Sequence, residues 1–159
     1  MAEIESSHFY LSSSMASINT NNLGGLLIFN NFNIREILGD LYDKYDKFKL
    51  VLNGVSNINT NTTMNYERHI AIQMSGLSWV NCLDYNTNDS TTATLGILTI
   101  GVNALSNNQM SSNWGVVFNK PSNNNVSLTI GLYGVYFNTV RTDTDYGSTT
   151  FYFNIYGVK

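Results

Sequence analysis

Only one stretch of this chain carries a helical pattern, and it runs straight into a strand pattern. Between Asn33 and Asn53 the apolar residues Ile34, Ile37, Leu38, Leu41, Tyr42 and Tyr45 recur three and four apart, which predicts a helix over Ile34–Tyr45 with one apolar stripe. Asn33 and Glu36 form a capping box: the Asn oxygen accepts from a free backbone N–H, and the Glu carboxylate sits at the positive end of the helix dipole. Past Asp46 the period falls to two, as Phe48, Leu50 and Leu52 alternate with Lys47, Lys49 and Val51 until Asn53-Gly54 offers a turn. One helix in an otherwise β chain is expected to plug an open end of a sandwich or to cross between its sheets.

A chain of 159 residues with 43% hydrophobic content can bury one core and is short for two, so a single domain is expected, with residues 1–22 as an N-terminal arm or first strand and 23–159 as the body. Charged residues make up only 12%, and 24 asparagines with many Ser and Thr fill the polar positions instead. With a net charge of -3, such a surface is poorly protected against self-association. Life inside an assembly explains it, and so does a genome whose codons favour Asn.

The same composition excludes several classes. No Lys/Arg cluster exists to displace counterions from a phosphate backbone, so nucleic acid is not an expected partner. No membrane span is present in the pattern, and Met1–Ser14 lacks the basic and apolar regions of a signal peptide. The lone Cys82 allows no internal disulfide and fits a reducing compartment. Sequons begin at Asn61, Asn88 and Asn125, but in a chain this rich in Asn, Ser and Thr they carry no information.

Strands are expected along the rest of the chain. Phe9 and Leu11 alternate with His8 and Tyr10 at a sheet edge; a loose segment spans 12–22; Leu26–Phe29 is a short buried strand. After an Asn/Thr loop over 56–65, Ile70, Ile72 and Met74 face one way and His69, Ala71, Gln73 and Ser75 the other, with a continuation through a bulge at Gly76 to Leu83. Then come Thr94–Val102, a polar loop over 103–113, Trp114–Asn119 ended by Lys120-Pro121, the alternating Val126, Leu128, Ile130 and Leu132, a loop over 139–148, and a last strand on Phe151, Phe153 and Ile155. About eight strands, long loops and one helix predict an all-β fold, a single jelly-roll sandwich rather than an up-and-down barrel.

Catalysis has no foothold in this pattern, and no cofactor is expected. His8 and His69 are far apart, opposite the apolar faces of their strands, and without metal partners. Cys82 has no basic neighbour to lower its pKa and reads as core. Asp40, Asp43 and Asp46 alternate with Lys44 and Lys47 as a solvated helix face. Asp143, Asp145 and Gly147 are the single weak calcium candidate, since a third ligand and a distant bidentate Glu are missing; a plain turn explains them. Trp79 and Trp114, which could stack on sugars or anchor an interface, follow and begin strands respectively, so core packing explains both. Leu23-Gly-Gly-Leu lacks the lysine and third glycine of a phosphate loop.

Three passages carry a family resemblance: Arg35-Glu-Ile-Leu-Gly-Asp-Leu-Tyr-Asp-Lys-Tyr-Asp-Lys-Phe-Lys-Leu-Val-Leu-Asn-Gly-Val, Ile70-Ala-Ile-Gln-Met-Ser-Gly-Leu, and the closing pair Val126–Gly134 and Thr150–Val158. In length, strand order and texture the chain resembles the single jelly-roll vertex (penton) capsid proteins of large icosahedral double-stranded DNA viruses and their smaller relatives. The resemblance implies a structural virion protein, assembled inside the host cell, that forms a homopentamer and meets major and minor capsid proteins. The chain departs from that family in lacking a domain-sized insertion. The rival on the same architecture is a lectin-like or receptor-binding module, whose loops hold specificity and whose aromatics stack on sugars. A cupin-type enzyme would need clustered histidines and carboxylates, which are absent from the pattern.

Overall fold

In the computed structural model the chain is described over residues 5–19, 26–56, 59–60, 69–80, 92–99, 109–113, 115–134, 139–140, 144–145 and 149–159. Its strands, in chain order, are β1 (Ser6–Ser12), β2 (Ile18–Asn19), β3 (Leu26–Asn33), β4 (Lys47–Ser56), β5 (Asn59–Thr60), β6 (His69–Ser75), β7 (Thr92–Thr99), β8 (Gln109–Asn113), β9 (Val116–Asn119), β10 (Asn125–Gly134), β11 (Thr139–Val140), β12 (Thr144–Asp145) and β13 (Thr150–Val158). Helices α1 (Ile34–Leu38) and α2 (Leu41–Lys44) stand between β3 and β4. One sheet has the order β1-β13-β4-β9, and the other β2-β3-β10-β6-β7-β8 with β11 beside β10. Every pairing is antiparallel, and β5 and β12 pair apart from both sheets.

Alternation builds the core. Phe9 and Leu11 of β1, Phe48, Leu50 and Leu52 of β4, and Phe151, Phe153 and Ile155 of β13 turn inward from the first sheet to meet Leu27, Ile70, Ile72, Leu128, Ile130 and Leu132 of the second in one buried cluster. Phe9 stacks on Phe153 at 4.9 Å within its own sheet and reaches Phe32 of β3 at 5.6 Å. The molecule is therefore an all-β sandwich, as the pattern predicts.

The crossover departs from the single helix expected over Ile34–Tyr45. Asn33 caps α1 with its side chain accepting from the Glu36 N–H at 3.1 Å, as the capping box requires. Gly39 then takes φ 54° and ψ -128°, outside the helical region, while its N–H closes α1 on the Arg35 carbonyl at 2.9 Å. A residue with a Cβ strongly disfavours that conformation, so the helix breaks at the glycine and restarts at Leu41. Ile34, Leu38 and Leu41 remain buried on one face through the break, which is why the period survived it. The two short helices hand the chain from β3 in one sheet to β4 in the other, so the helical stretch is a crossover that also closes one end.

Asn53-Gly54 is not a turn. The strand runs on to Ser56 because β13 offers partners along the whole of β4: Gly54 pairs with Tyr152 and Leu52 with Phe153, leaving Asn53 as the extra residue of a bulge. Nor does Gly76 continue its strand to Leu83. At φ 113° a Cβ there would stand 1.9 Å from the Ser127 carbonyl oxygen, so only glycine lets β6 pass β10 so closely. Beyond it, residues 77–80 cross to the first sheet, where Val80 N–H donates to Val117 O and Asn119 N–H to Ser78 O, both at 2.8 Å; residues 81–83 lie outside the described residues.

The remaining departures are strands where loops were expected. Ser12–Asn22 contains a 3-10 turn at Ser13–Met15 and β2. The expected loops over 56–65, 103–113 and 139–148 contain β5, β8, and β11 with β12. These strands are short and polar, so main-chain pairing rather than an alternating pattern defines them.

Candidate functional site

The described residues contain no group of three or more His, Cys, Asp or Glu placed to hold a metal ion, and no described helix is long and apolar enough to cross a membrane. His8 lies exposed on β1 and His69 exposed at the start of β6, in different sheets. Trp79 is buried and meets Phe118 edge-on at 6.0 Å, in the core as expected. Cys82, Trp114, Asp143 and Gly147 lie outside the described residues; Asp145 pairs through its backbone with Asn59 in β12.

Eight of the 19 formally charged residues fall between Arg35 and Lys49, so the crossover gathers much of the chain's charge at one end of the sandwich. Asp40, Asp43 and Asp46 are all exposed there, as the charge-mixed helix face predicts. Arg35 lies 4.1 Å from the centre of the Tyr42 ring and 3.6 Å from Asp43. From the β9–β10 turn, Lys120 lies 4.9 Å from the same ring and 3.3 Å from Asp46. The Tyr42 hydroxyl donates to the Pro121 carbonyl at 3.0 Å, and Lys120 N–H to Asp46 O at 2.8 Å. Lys120 and the Tyr42 hydroxyl thus hold α2 against a turn far away in sequence, while Arg35 ties α1 to α2. Exposed ion pairs are individually weak, so the cation–π contacts and the hydroxyl bond carry the specificity of this latch.

At the same end Lys44 donates to Glu5 at 2.9 Å. That bond, with the Tyr45 hydroxyl beside it, holds the Glu5 carboxyl below its ordinary range; the carboxylate in turn raises Lys44 and Tyr45. The arrangement ties the start of β1 to the crossover. It has the chemistry of a clasp rather than of an acid–base pair, because Lys44 is exposed and Glu5 and Tyr45 are only partly covered.

A second feature stands on the flank of the sandwich. The outward residues of β1, β13, β4 and β9 form a broad face, and Tyr10 and Tyr152, direct partners across β1 and β13, are 58% and 47% exposed. Tyr156 lies farther along β13, with Lys49 5.5 Å from its ring centre. The Lys49 stem fills the space over Gly115, where a Cβ would meet it at 2.4 Å. Sequence alternation places Tyr10 and Tyr152 outward, but only the pairing of first strand with last puts them side by side.

Comparison with known protein families found no matching family model, and comparison with curated proteins found no match.

Proposed function

We propose that this protein is a single jelly-roll capsid protein that closes the fivefold vertex of an icosahedral double-stranded DNA virus as a homopentamer, seated among major and minor capsid proteins in the virion. The observation that carries the reading is the strand order. Setting aside β8 and the two-residue strands, one sheet runs first, eighth, third, sixth and the other second, seventh, fourth, fifth. That is the order made when a long antiparallel hairpin folds over on itself, the construction of a jelly roll. Low charge and exposed tyrosines suit a surface meant to be covered, since repeated contacts in a ring gain from hydrogen-bonding and apolar complementarity and lose where like charges meet. The function is then geometric: one heterologous contact whose rotation closes after five copies.

Native mass spectrometry of the full chain across a concentration series tests this. A five-copy ring, or a monomer converting to one as concentration rises, is the expected result; a trimer or a persistent monomer refutes it. The exposed Tyr10–Tyr152 pair also favours a second reading, a lectin-like module that stacks those rings on sugars. A glycan array on the same sample separates the two.

A further inference from the structure

Among the described residues nothing covers the outer face of the β1-β13-β4-β9 sheet, and we infer that it is the surface on which a second copy of this chain docks, by its acidic crossover end. The inference rests on the homopentamer reading and assigns one side of its repeated contact. Four large hydrophobic residues are conspicuously exposed among the described residues, and two of them, Tyr10 and Tyr152, sit together here. Val51 and Val117 extend the face across β4 and β9. Tyrosine with little charge is the composition of an interface centre rather than of a solvated sheet.

Charge selects the occupant. The formal charges that the strands place on this face are Lys47 and Lys49; Lys47 stands at its crossover edge beside Glu5 and Asp46, and Lys49 lies farther in, over the Tyr156 ring. The carboxylates whose side chains are described, Glu5, Glu36, Asp40, Asp43 and Asp46, all belong to the crossover end. A neighbour that presents Glu36 and Asp40 to Lys49 and the tyrosines therefore joins unlike surfaces, whereas face against face brings lysines together. Such a contact is heterologous, and a heterologous contact whose rotation closes makes a ring.

Size sets the behaviour. Four strands about 4.8 Å apart and roughly seven residues long cover about 450 Å², near half of what one partner gives to a standard interface. An isolated pair of copies is then weak, while a closed ring in which every subunit is held on two sides is stable.

The test uses the full-length chain and three variants, Tyr10→Ser with Tyr152→Ser, Lys49→Glu, and Lys49→Glu with Asp40→Lys, each checked for unchanged melting temperature and β-type circular dichroism. Native mass spectrometry and sedimentation are expected to show the assembled species half formed at a concentration at least about tenfold higher in the tyrosine variant and in Lys49→Glu, with recovery in the charge-swapped pair. A pentamer that persists unchanged in the variants overturns the docking face and leaves the vertex reading standing. Dissociation of a dimer or trimer by the same substitutions upholds the face and removes the vertex. A wild-type monomer at every concentration, or glycan binding that the tyrosine variant abolishes without changing mass, overturns the docking of a second copy.

Discussion

The two sheets of this sandwich differ most on the sides turned away from the core. On β6 and β7 the outward residues Ala71, Gln73 and Thr94 are closed to solvent, at 0%, 2% and 1% exposure, although Ala71 stands apart from the central cluster. Gln73 donates to Thr94 at 3.2 Å across the strands, so the polar pair is satisfied while buried. On β1 and β13 the equivalent positions hold Tyr10 and Tyr152, half open to water. One sheet is thus buried on both faces where β6 meets β7, while its outward residues on β3 and β10, such as Asn30 and Ser127, stay open; on β1 and β13 the described residues are buried on the core side alone. A face that a fold completes by itself is under stability constraints alone; a face left open is available to another molecule.

Neighbouring residues on β13 sharpen the contrast most. Phe153→Ala, facing the core at 1% exposure, is expected to cost about 3–5 kcal/mol in chemical denaturation, because the stack on Phe9 and the space of the ring are both lost. Gly76→Ala should follow closely, at about 3 kcal/mol or more, since the new Cβ strikes the backbone of Ser127 and φ stays positive. An unchanged melting temperature in that variant would break the account of how β6 passes β10.

Next comes the closed outer face. Gln73→Ala is expected to destabilise by about 1–3 kcal/mol, by leaving Thr94 without that donor and opening a cavity. Tyr152→Ser on the open face should shift monomer stability by only about 0.5 kcal/mol, and a loss as large as that of Gln73→Ala would mean the two faces are alike after all.

The smallest effect belongs to the clasp. Glu5 is held below its ordinary pKa, so its contribution is present above that range and is lost as pH falls through the depressed value; raised Lys44 and Tyr45 lose theirs as pH rises through their elevated values. Melting curves of wild type and Glu5→Gln should therefore differ slightly near neutrality and converge in acid. High salt should shrink the difference, because Lys44 is exposed and Glu5 and Tyr45 are at least partly so.

What the sequence determined by itself is the content of single elements. Alternation at Phe151, Phe153 and Ile155, the spacing from Ile34 to Leu41 and the Asn33–Glu36 cap each express local geometry, in which a side chain's direction follows from its place in a period of 2 or 3.6. Those positions were legible, and so was the all-β class. The tertiary structure decided whatever depends on a neighbour distant in the chain. Asn53-Gly54 carries a turn signal, yet β13 lies alongside and pairs straight through it. Gly76 looks like a bulge until the Ser127 carbonyl closes over it. Ala71 and Gln73 alternate like a solvated face but are buried, and Tyr10 and Tyr152 become one patch only because the first strand pairs with the last. Periodicity fixes which side of a strand a residue takes; what lies against that side is set by pairing across more than a hundred residues, which no local pattern records.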